Sequence, residues 1–326
     1  MKVFLILAII LLLPSLGFFY YLFRPLRIVP KPAAFQCIPI QDGKLEAFTP
    51  NPNHIFGMGL VYSKHIEETA SNFSIVEPPP IFIKDKQSLA SHNSEVKTPN
   101  SLDLFQALLK YEPSLESEEG LVNNKDLPPL LDYEVELGFV LLADIKKEDL
   151  YKKEFIPPIG FFLANDISAR TIAVFGEGRQ DKAEYWGISK SFPNFLPVSS
   201  QVWIPSHGLP NGIPCIRIQT FVNGIERQNE VTVNMIYTPK EMLQFISEKY
   251  KNIPLKKNDM VIMGTPGGVA MSTPRWMVRI SDLIGLNRFQ KLKIVLRKDR
   301  TNFLKSGDKV LIRGEGFGEV ENTIVN

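Results

Sequence analysis

The sequence predicts a strand-rich α+β domain carried behind one N-terminal transmembrane helix. Three observations predict it. Residues 3–23, VFLILAIILLLPSLGFFYYLF, form a charge-free apolar run. From residue 131 onward the chain is a series of strand-type segments rich in β-branched and aromatic residues. Finally, 25 prolines in 326 residues disfavour a helical bundle, and no strand–helix alternation of the doubly wound kind occurs.

The apolar run is long enough to span a bilayer as a helix. Tyr20, Tyr21, Phe18, Phe19 and Phe23 cluster at its C-terminal end, where an interfacial belt would lie. A cleaved signal peptide is the rival reading, but no small-x-small cleavage site follows. Arg24, Arg27 and Lys31 come next, a slight positive excess over Lys2. The expected arrangement is therefore an anchor over 1–24, a single pass with the C-terminal domain on the cytoplasmic side, or a secreted form if the segment is cleaved. Residues 25–54 read as a proline-rich linker with the first strands, and 55–326 as that C-terminal domain.

Within that domain IFGMGL (55–60) reads as a strand ending in glycine. It is followed by a short helix begun at Ser63, with Glu67 and Glu68 in its first turns. EPPPIFIKD returns as a strand. Residues 86–130 are polar, a surface excursion holding one helical stretch, SLDLFQALLKY. DYEVELGFVLLADI and IGFFLANDISAR are strands. VNGIERQ carries Asn-Gly between β-type runs, a hairpin signal. PKEMLQFISEKY is an amphipathic helix, and two glycine-punctuated strands close the chain. Net charge is +2, so the overall balance points away from nucleic acid. Cys37 and Cys215 show no thiolate zinc spacing. They read as small buried hydrophobes, with a disulfide left open.

The chemistry begins with Glu134 and Glu136. At i and i+2 in a strand they share one face, their Cα atoms about 7 Å apart. Val135, Leu137, Phe139 and Val140 around them are apolar. Two like charges in such a setting call for a cation between them, although E-x-E alone is more often an exposed strand face. Asp166, at the end of another apolar strand, adds a third carboxylate. Three carboxylates make an all-oxygen site suited to Mg2+ or Mn2+, with Ca2+ possible by the same chemistry. His65 and Glu68, at i and i+3, share a helix face, either as a solvated pair or as a carboxylate-oriented base. Lys190, alone, would ordinarily be a solvated side chain.

DYEVELGFVL, LANDISAR, ISKSFPNFLP, VNGIERQ and DMVIMGTPGGV, in that order, resemble the successive motifs of the fumarylacetoacetate hydrolase family. The resemblance covers about 55–270 and again 304–323. It implies a mixed β-sheet roll with few helices and a homodimer. It also implies a Mg2+ or Mn2+ ion held by Glu134, Glu136 and Asp166. Tyr62, His65, Glu68 and Lys84 resemble the lid of the acylpyruvase and oxaloacetate decarboxylase branch. The same resemblance implies catalytic roles for His65, Glu68 and Lys190, and substrate contacts from Arg170, Gly264 and Thr265.

The chain departs from that pattern at Val61, Lys64, Thr171 and Ala173. The last two stand where the family usually carries Asp and Gln. A second departure is an insertion of roughly 30 residues after GTPGGV, about 271–303. It is basic and amphipathic, suited either to an anionic membrane surface or to an extra helical hairpin packed on the domain. The leading expectation is a hydrolase or decarboxylase cleaving a C–C bond in small 2-oxo acids. The alternatives are a metal-dependent isomerase or tautomerase, or an inactive tethered binding module.

Overall fold

The computed structural model describes residues 17–23, 35–68, 78–117, 127–272, 275–297 and 302–326. Its core lies between two mixed sheets. The larger has seven strands in the order Gly43–Ala47, Gln201–Pro205, Ile159–Asn165, Val135–Leu141, Met260–Ile262, Ile55–Met58, Ile81–Lys84. Met260–Ile262 runs parallel to Ile55–Met58 and antiparallel to Val135–Leu141. The smaller sheet has five strands, in the order Ile225–Val231, Arg217–Val222, Lys309–Gly314, Gly318–Val325, Ser94–Lys97. Phe139, Phe161, Trp203 and Phe317 stack in a row through the shared core, each almost fully buried.

Val135–Leu141 and Ile159–Asn165 are buried along their whole length. That explains why they read as continuous apolar runs rather than alternating ones. VNGIERQ forms the expected hairpin: Asn223 (φ 51°) and Gly224 (φ 79°) both take left-handed backbone between antiparallel strands. Helix Ser101–Tyr111 starts at an Asn100 capping box. Helix Pro239–Lys249 starts at a Thr238 capping box with proline in its first turn.

Two expectations are corrected. The transmembrane helix over 3–23, and the single-pass placement built on it, are overturned: no helix among the described residues is long and apolar enough to cross a membrane. Residues 1–16 of that run and 24–34 of the linker lie outside the described residues. The described part of the run, residues 17–23, is helical for only about 10 Å, a third of a bilayer core. Its end is held by protein: Leu22 is buried, and Arg279 donates to the carbonyls of Tyr21 (2.6 Å) and Leu22 (2.9 Å). The cysteines are not two buried thiols either. Cys37 is exposed and joined to Cys215 in a disulfide, with Cα atoms 5.3 Å apart. Parallel pairing of Gln36–Ile38 with Gly212–Pro214 brings them together, a contact between segments 178 residues apart that spacing cannot reveal.

Residues 275–297 form two helices, Arg275–Leu283 and Arg288–Arg297, and the second packs on the buried helix Arg170–Phe175.

Candidate metal centre and its cavity

Strand register assembles the acidic group. Val135 pairs with Asn165 and Glu136 with Ala164 across an antiparallel ladder. Continuing that register puts position 166 opposite 134, and the Asp166 N–H donates to the Glu134 carbonyl at 2.9 Å. Glu136, two residues along, shares the face with Glu134. Glu134, Glu136 and Asp166 each offer a carboxylate oxygen, all within 4.8 Å of one another, and all three residues are buried. Three buried carboxylates at this spacing fit a hard divalent cation.

Three cationic side chains close around them. Lys190 Nζ lies 2.7 Å from Glu134 and 2.6 Å from Asp166. Lys84 donates to the other Asp166 oxygen. Arg170 reaches Glu134 at 2.5 Å and Asp132 at 2.8 Å. Burial pushes the Glu134 carboxyl up, but Lys190 and Arg170 more than offset it and hold the group down at about 2. Glu136 goes the other way: burial, then the charges of Asp166 and Glu134, push it well above the usual carboxylate range. A metal ion beside Glu136 would relieve that repulsion. Burial works against the Lys190 ammonium, yet Asp166, Glu134 and Glu136 outweigh it and raise its pKa. Burial lowers the pKa of Lys84, with Asp166 opposing only in part.

His65 sits on the short helix Ser63–Glu68 and is buried. Burial, aided by Arg170 and Lys190 and opposed by Glu134, pushes its imidazole down to about 4. It is therefore neutral near pH 7. Glu68, three residues on, directs an oxygen to the Gly268 N–H at 2.7 Å. It thereby holds the G-T-P-G-G turn, in which Gly268 has φ 100° and a Cβ would strike the Arg227 carbonyl at 2.4 Å. Gly264 donates to Glu136 at 2.6 Å. The Thr265 hydroxyl accepts from Gln228 Nε2 at 2.8 Å.

His65, Glu134, Glu136, Arg170, Lys190 and Thr265 line one cavity of about 170 Å³; Asp166, Glu68 and Gly264 are not among its lining residues. Two residues in this network escaped sequence reading. Asp132 is buried, takes Arg170, and accepts the N–H groups of Ala270 (2.7 Å) and Met271 (3.1 Å). Its signal was present: Asp132, Glu134 and Glu136 repeat at i, i+2, i+4. Gln228 is buried; its oxygen accepts Val135 N–H and the Thr220 hydroxyl, and its amide donates to Thr265 and the Pro266 carbonyl. In the sequence it showed only as part of a hairpin.

Comparison with known proteins places this geometry. A family model described as "Fumarylacetoacetate (FAA) hydrolase C-terminal" matches residues 54–325. The chain is 26% identical over 296 residues to "Oxaloacetate tautomerase YisK" of Bacillus subtilis (strain 168), covering 87% of this chain and 74% of the relative. It is 26% identical over 244 residues to "Oxaloacetate decarboxylase, mitochondrial" of Dictyostelium discoideum, covering 75% and 94%. Among solved structures, a fumarylpyruvate hydrolase from Pseudomonas aeruginosa in complex with Mn2+ and pyruvate shares the fold. It aligns with TM-score 0.54 and 19% identity over 92% of this chain and 98% of that one.

Proposed function

We propose, from the premise that this chain belongs to the fumarylacetoacetate hydrolase family, that it is a divalent-metal-dependent enzyme that cleaves a C–C bond in small 2-oxo acids by hydrolysis or decarboxylation. One observation carries the reading: three clustered buried carboxylates are ringed by three buried cations, and two of them, Glu134 and Glu136, line the same cavity as a neutral histidine. Glu134, Glu136 and Asp166 would hold Mg2+ or Mn2+, which supplies Lewis-acid polarisation of a carbonyl.

The chain's own groups do the rest. Lys190 keeps its proton because the carboxylates hold its pKa up, so it presents a fixed positive charge to an oxygen that turns anionic as an enolate forms. Arg170, locked by Asp132 and Glu134, contributes a second charge for the substrate carboxylate. Gln228 orients the Thr265 hydroxyl at the cavity wall. His65, neutral and buried beside Glu134, takes a proton from water attacking the distal carbonyl. Glu68 positions the turn that carries Thr265.

A second reading has its own support. The Bacillus subtilis relative is an oxaloacetate tautomerase, and His65 in the cavity could serve keto–enol proton transfer at carbon, with no attacking water. Mass spectrometry of products separates the two, since hydrolysis adds water and isomerisation adds nothing. His65→Ala is expected to lower acylpyruvate hydrolysis by about 100-fold or more while metal binding persists. Unchanged turnover in that variant removes the base from the mechanism. A wild-type protein that binds Mn2+ yet turns over no 2-oxo acid removes the enzymatic reading altogether.

A further inference from the structure

Half of the cavity wall plays no part in that chemistry. Beyond the carboxylates, the cavity is lined by Met58, Leu60, Phe82, Val174, Trp186 and Met271. Its roof is the helix pair over 275–297, which contributes Met277 and Ser281 from one helix and Lys291, Ile294 and Val295 from the other. The spacings i, i+4 and i, i+3, i+4 put each set on one helix face. Ala173 adds a methyl where the family pattern usually carries a glutamine.

Leu60 adds an independent sign. Its backbone sits in the left-handed region at φ 58°, where glycine is at home and a non-glycine residue is strained. The chain nonetheless places a leucine there, and Leu60 lines the cavity. The lining counts against a four-carbon diacid, which would press a second carboxylate against Phe82, Met58 and their apolar neighbours, at a desolvation cost.

We infer that this cavity is built for a 2-oxo acid whose far end is an extended hydrocarbon chain, with the inserted helix pair as the part that selects it. The inference rests on the metal-dependent reading above and refines it. The oxo-acid head meets Arg170, Lys190 and Thr265. The tail runs between Phe82, Trp186 and Val174 on one side and Met277, Ile294 and Val295 on the other. Glu177, Lys182 and Lys291 mark the mouth, a mixed-charge rim in which Lys182 lies over the Trp186 ring at 5.7 Å.

The test compares acylpyruvates of increasing acyl length, oxaloacetate and an acylpyruvate with a terminal carboxylate, on the full chain loaded with Mn2+. Both kcat/KM and calorimetric affinity for unreactive 2-oxo acids of matching length are measured. Each is expected to rise by about fourfold per methylene until the tail reaches the mouth, with a more negative heat-capacity change of binding. Ile294→Trp is expected to move the optimum to shorter chains. A flat length series, a preference for oxaloacetate, or tighter binding of the terminally carboxylated chain overturns the inference and leaves the functional reading standing. If no 2-oxo acid of any length binds or reacts, both fall.

Discussion

The cavity's floor and its roof are built by opposite means. The floor is strand: Glu134 and Glu136, which line it, and Asp166, clustered with them, come from two adjacent antiparallel segments whose register alone sets their spacing. Every group there is buried and bonded to backbone or to a countercharge. The roof is two helices inserted after the G-T-P-G-G turn, clamped from the side. Arg288 grips Glu112 with two bonds of 2.7 Å, Tyr185 donates to the same carboxylate, and Arg279 ties the roof to residues 17–23. The clamp joins the two long insertions, since Glu112 lies in the 86–130 excursion and Arg288 in the 271–303 one. The contrast teaches that the two decisions are separable here. On the proposed reading, the floor would set the reaction class and the roof what fits above it.

That separation can be broken by experiment. Asp166→Asn removes a carboxylate from the floor and is expected to cost metal affinity about 100-fold or more, read by calorimetric titration, with activity falling in step. Wild-type affinity in this variant would mean the metal is held elsewhere. Arg288→Ala should act on the roof alone. The lost charge-assisted pair is worth about 1–3 kcal/mol. Hydrogen exchange over 275–297 should therefore quicken by about tenfold, and KM rise, while metal affinity stays unchanged. Loss of metal affinity in Arg288→Ala would show that floor and roof are one unit.

The smallest effect is one of acidity. Arg288, against an opposing burial cost and with help from Tyr185, holds the Glu112 carboxyl below its ordinary 4.5. A carboxyl depressed in the folded state contributes its full stability above the unfolded value and loses it as pH falls through the folded one. The clamp should therefore hold across neutral pH and weaken only below about 4.5, as roof-specific exchange protection lost ahead of global unfolding. Loss of roof protection already at pH 6 would place the clamp elsewhere.

The floor was largely legible in the residues themselves. E-x-E in an apolar run, and Asp at the end of a second one, lie at fixed offsets within strands, and strand geometry converts offset into direction. The Asn-Gly hairpin and the two capping boxes were legible for the same reason: each is a local rule acting over two to four residues. Glu68 was harder. Helical spacing puts it on the face of His65, and nothing local tells that one of its oxygens accepts the Gly268 N–H, two hundred residues away.

What the sequence determined by itself was therefore the strand-rich fold and three carboxylates suited to one divalent ion, while the cations around them were implied only by the family resemblance. Only the tertiary structure decided that an apolar N-terminal run ends against Arg279, that Cys37 meets Cys215, and that an insertion with basic charge turns its apolar faces onto a cavity. The physical reason is range. Periodicity records which way a side chain points from its own element, whereas the partner it meets depends on long-range packing that no single segment encodes.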